Sequence, residues 1–103
     1  MIISTTENIG KSYEVMGIVR GGTVQTVNVV RDLGASFKTI VGGELTKYNE
    51  MMDDARRIAT ERMVKEAEAL GADAIVGVRY SSASIMQSAA EIMAYGTAVK
   101  FVS

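Results

Sequence analysis

The 103-residue sequence contains no cysteine, no histidine, no proline and no tryptophan. Without cysteine there is no disulfide framework, no thiolate metal site and no thiol nucleophile. Without histidine the usual imidazole base and the commonest metal ligand are also missing. No serine stands in a strained G-x-S-x-G elbow, and no constellation of Ser, Tyr, Lys and carboxylates announces catalysis, so no catalytic residue is assigned. Aromatics make up only 6% of a chain that is 48% apolar, so Val, Ile, Ala and seven Met must fill the interior. So much apolar surface on so small a body points to burial against a second copy. Eleven basic and twelve acidic residues give a net charge of −1, and the two signs are interspersed. Such a surface sets up no strong field toward nucleic acid or an anionic membrane. Nowhere do about 18 apolar residues follow one another, and the opening "MIISTTENIGK" has no basic region leading into an apolar run. A cytoplasmic protein is the expectation.

With no proline, no repeat and no low-complexity stretch, the chain reads as one domain over residues 1–103, punctuated by ten glycines. A short strand at Ile2 to Ser4 is followed by the polar loop "TTENIGKS", with Gly10 as its turn residue. "YEVMGIVRGGTVQTV" is rich in β-branched residues and predicts a strand bulged at Gly21 and Gly22. In "NVVRDLGASFKTIVGG" the apolar residues Val30, Leu33, Phe37 and Ile40 recur at helical spacing behind a capping Asn28. A longer helix is expected from Glu44 to Leu70, its inner stripe running through Leu45, Tyr48, Met52, Ala55, Ala59, Met63, Ala67 and Leu70. Gly71 is placed for a left-handed C-terminal cap.

"AIVGVRYSSAS" and "EIMAYGTAVKFVS" predict an antiparallel hairpin turning near Met86 and Gln87. That register sets Gly77 opposite Gly96 and Arg79 opposite Ala94, beside Tyr95. Facing glycines, extended by Gly17, would leave a bare trough, and the long helix with its small Ala55, Ala59 and Ala67 is the expected occupant.

"IVGGELTKYNEMMDDARRIATERM", "GADAIVGVRY" and "AYGTAVKF" resemble the YbjQ-like family of small bacterial and archaeal proteins, often labelled heavy-metal-binding, over essentially the whole chain. The resemblance implies a dodecin-like α+β subunit, β-β-α-α-β-β, with a long helix on a curved antiparallel sheet. It also implies a ring-like pentamer. It implies no settled activity, and a chain without Cys or His lacks every soft or imidazole ligand that the label would call for.

Candidate chemistry is sparse. Glu50, Asp53 and Asp54 would suit a hard cation but read as a solvated face balanced by Arg56 and Arg57. Of the methionines only Met51, Met52 and Met86 merit a test as thioether ligands; the others read as core filling. "VGGEL" resembles an anion cradle at a helix start, yet Glu44 puts its own carboxylate there. "VRGGTV" reads as a nest or a bulge. Arg79 and Tyr95 together would suit a planar or anionic ligand at an intersubunit wall, against the plainer reading of an edge salt bridge. Arg79, Tyr95 and Glu44 are therefore the ligand-binding candidates, with no metal site assigned and the cofactor unknown. The expected function is non-enzymatic: a ring-forming oligomer, pentameric by resemblance, that binds or scaffolds. The alternative is a binder of a metal ion or small molecule at subunit interfaces.

Overall fold

A computed structural model describes residues 1–26, 43–86 and 89–102, with the backbone alone at 43 and 44. The elements are β1 (Ile2–Ile3), β2 (Tyr13–Thr26), α1 (Gly43–Ala69), β3 (Ala74–Met86) and β4 (Ala89–Phe101). They form an α+β unit in which the four strands make one sheet in the order β1-β3-β4-β2. The helix expected around residues 28–40 falls outside the described residues. The expected all-antiparallel sheet is corrected in one respect: β1 runs parallel to β3, with Ile2 beside Ala74. The two strands are far apart in the chain, with β2 and α1 between them, and a parallel pair requires such a long connection.

Alternation along the strands decides which face meets the helix. On β2, Val19, Gly21 and Thr23 are buried while Ile18, Arg20 and Val24 are exposed. On β4, Ile92, Ala94 and Ala98 join the main core. α1 lies over β2 and β4 with Ala55, Ala59, Met63 and Ala67 fully buried. Met51 begins this stripe, so its members are spaced four apart and advance by roughly 40° per step, which keeps the helix on a twisted sheet. The sequence stripe holds at its centre and fails at its ends, where Leu45 and Leu70 are each 49% exposed.

Gly21 is where helix and sheet come closest. A Cβ there would overlap both the Ala59 carbonyl oxygen and the Met63 amide nitrogen, so the helix backbone itself occupies the space of a side chain. The trough glycine is thus Gly21, at a site expected to bulge, whereas β2 pairs regularly there, Gly21 with Ala94 and Gly22 with Met93. Gly17 and Gly77 would have nothing within 4 Å of a Cβ, and they adopt φ of +144° and +63°. They belong to two β-bulges, one between Val15 and Gly17 and one between Val76 and Arg79. Gly96 packs beneath Ile75 and Val78 of β3, not beneath the helix.

The helix ends as expected. Ala72 N donates to Ala67 O and Gly71 N to Glu68 O, the paired bonds of a Schellman cap, with Gly71 at φ +79°. Lys100 Nζ donates to Gly71 O at 3.1 Å, bringing a cation to the negative helix end.

Candidate functional site

The helix-free face of the sheet carries the sequence-derived candidates. The bulge between Val76 and Arg79 shifts the β3–β4 register by one residue, so Arg79 faces Tyr95 directly and Tyr80 takes the place opposite Ala94. That corrects the expected pairing and tightens it. On the other side of β4, Tyr95 is also the partner of Arg20. Residues paired across antiparallel strands share a face, so Arg20, Tyr95 and Arg79 form one row across three strands. Sequence reasoning placed Arg20 in the "VRGGTV" nest or bulge but missed its pairing with Tyr95, because the β2–β4 register depends on the bulge at Met16, for which Gly17 was the only cue.

The N-terminal segment folds over this face. Ser4 continues the β1 pairing, its N–H donating to Ile75 O and its carbonyl accepting from Val78 N inside the bulge. Thr5 O then accepts from Arg79 Nη1 at 2.9 Å, and the same Nη1 donates to Val78 O at 2.9 Å. Tyr13 Oη donates to Glu7 O at 2.6 Å. Below the row, Ala74, Val76 and Val99 form a small second core with Ile9, Tyr13 and Phe101. Between this core and the row lies a cavity of about 260 Å³ lined by Glu7, Tyr13, Val15, Val76, Gly77 and Thr97. The two bulges flank it, one on each side of β4, in the manner of strands re-aimed around a site.

Arg79 and Tyr95 are exposed, and neither guanidinium of the row is ion-paired among the described residues. By contrast Arg56 holds Asp53 at 2.7 Å, Arg57 lies between Asp54 and Glu61, and Lys100 faces Asp73. Asp53 is thus paired three residues along, with Arg56. Glu44 lies in the first turn of α1, and its side chain is outside the described residues. It belongs to a different element from Arg79 and Tyr95.

A second hollow of about 460 Å³ follows the outer face of α1 past Arg57, Thr60, Glu61, Val64, Lys65 and Glu68. Its charges balance, and Arg57 is already committed to acids on its own helix.

A family model described as "Putative heavy-metal-binding" matches residues 1–102. The chain belongs to this YbjQ-like family. Among its relatives is a UPF0145 protein of Thermotoga maritima, 56% identical over 102 residues, covering 97% of this chain and 96% of the relative. Another, from Clostridioides difficile, is 58% identical over 101 residues, covering 96% and 90%. A crystal structure of a protein of unknown function from the DUF74 family of Pediococcus pentosaceus aligns with a TM-score of 0.75 at 21% identity, covering 99% of this chain and 98% of that one. That likeness shows the shared fold.

The donor set of this YbjQ-like chain does not fit a heavy metal. Cys and His are absent from the whole sequence, and no three carboxylates gather at one point among the described residues. Of the thioethers, Met63 is fully buried and Met51 packs on Ala90, while Met1, Met16 and Met86 are exposed on separate elements. A soft cation needs several such ligands converging.

Proposed function

We propose that this YbjQ-like chain is the subunit of a cytoplasmic homo-oligomer with a binding or scaffolding role and no catalytic one. The five-fold ring is the part of the reading that rests on the family resemblance. The observation that carries the oligomer is the bare outer half of β3. Every β3 residue from Arg79 to Met86 is exposed, including Ile85 at 51% and Met86 at 63%. Beyond Val78, which Ser4 still bonds, β3 has no strand partner on its outer edge among the described residues. The overall shape agrees: the radius of gyration is 17.0 Å and the extents are 57 × 22 × 16 Å, against about 13 Å for a compact chain of 100 residues. A long hairpin with an open edge and apolar side chains is stabilised by a second copy laid against it.

Native mass spectrometry at micromolar concentration should return an oligomer, and I85E with M86E should shift it toward the monomer. A wild-type monomer would overturn the reading.

A second reading is favoured by the open-face cavity and its unpaired arginines: the subunit holds a small ligand there, near a wall that assembly completes. Ligand retained by protein purified without chelator, detected by denaturing mass spectrometry, tests it.

A further inference from the structure

We propose that the row Arg20–Tyr95–Arg79 binds the phosphate of a small phosphate monoester whose body sits in the adjoining cavity. This rests on the second reading above, that the open face holds a small ligand.

Three observations carry it. The first is the spacing. Neighbouring strands lie about 4.8 Å apart, so the Cα atoms of Arg20 and Arg79 stand about 10 Å apart with Tyr95 between them. The second is the hydrogen-bond inventory of Arg79. A guanidinium has five N–H donors, and the two on Nη1 are spent on Thr5 O and Val78 O. Nε–H and the adjacent Nη2–H make no hydrogen bond among the described residues. They form the side-on fork that meets two oxygens of one oxyanion, and the two carbonyls hold that fork in a fixed orientation. The Tyr95 hydroxyl adds a donor in the middle of the row, and Arg20 supplies a second positive charge. That second charge matches a dianion.

The third observation bounds the rest of the ligand. The cavity begins one row below, since Thr97 follows Tyr95 on the same face of β4 and Val76 is its partner on β3. Its volume of about 260 Å³ admits a compact body, and Gly77 leaves open space where a side chain would otherwise project. Tyr13, Val15 and Val76 offer apolar contact and Thr97 a hydroxyl. Glu7 borders the cavity on one side, and Glu91 lies on the same face two rows toward the hairpin tip, opposite Val24. Acids on both sides of a cationic row repel an extended polyanion and accept a single compact one. A nucleic-acid strand, with charge at every residue, does not match this pattern.

The test titrates the intact protein with phenyl phosphate, inorganic phosphate and phenol at low ionic strength by calorimetry, with circular dichroism and native mass recorded for every variant. Phenyl phosphate should bind most tightly, with affinity falling as salt is raised. R20A and R79A should each weaken it about tenfold, R79K should lose most of the same factor because an ammonium has no fork, and E7Q should tighten it. Equal affinity in wild type, R20A and R79A would overturn the proposal. Phenol binding as well as phenyl phosphate would also overturn it while leaving a ligand in the cavity. Binding of none of the three would remove the proposal and the small-ligand reading together, and an unchanged native mass would leave the oligomer standing.

Discussion

The two faces of this sheet are made from the same strands by opposite means. The covered face is built by taking side chains away: Gly21, Ala94 and Ala98 on the strands meet Ala55, Ala59 and Ala67 on the helix, and backbone approaches backbone. The open face keeps its large groups, with Ile18 78% exposed beside Arg20, Tyr95 and Arg79. Stability is concentrated on the first face, where packing leaves no slack, whereas on the second Arg20 and Arg79 have no ion-pair partner among the described residues.

Substitutions on the covered face should therefore be severe and those on the open face mild. The largest effect is expected at Gly21. The methyl group of G21A would meet two backbone atoms that cannot rotate away, so α1 must lift from β2, at about 4 kcal/mol by urea denaturation. G22A, one residue along on the other face, meets Ile92 O at 3.6 Å and Met93 Cε at 4.0 Å, ordinary contacts, and should be close to neutral. Equal costs at the two positions would erase the distinction between the faces. Next comes M63A, which empties a fully buried side chain from the core and should cost about 3 kcal/mol, read from the same transition. Smaller again is G71A, which forces a side chain into the left-handed cap at φ +79° and should cost about 1 kcal/mol in thermal unfolding.

Much of this architecture was legible in the sequence. The helix length, its Gly71 cap, the hairpin and the central stripe all follow from periodicity and punctuation, because those signals are local. What the sequence did not disclose were the bulges. Each breaks the pairing of one strand, changes nothing in composition, and displaces every later partner. Reading Gly17 and Gly77 as one helix-filled trough with Gly96 followed from an unbroken register. With the breaks in place, Gly17 and Gly77 serve positive φ, Gly21 takes the close approach of the helix, and Gly96 makes room for Ile75 and Val78. The same shift explains the candidate site. Arg79 and Tyr95 were recognisable as neighbours, but Arg20 joins them only through the β2 register, while Glu44 stands at the helix start where the sequence put it.

The capped turn at Gly71 joins α1 to β3 in a few residues, so the helix and the hairpin follow one another closely along the chain from Gly43 to Phe101. β2 lies far from β4 in sequence, and its pairing must wait for a long loop to close. Docking of β2 is then the late step of folding, and Gly21 is the key that must find its lock at that moment. Amide protons of β3 and β4 should gain protection earlier in refolding than those of β2, and pulse-labelled hydrogen exchange would record the interval.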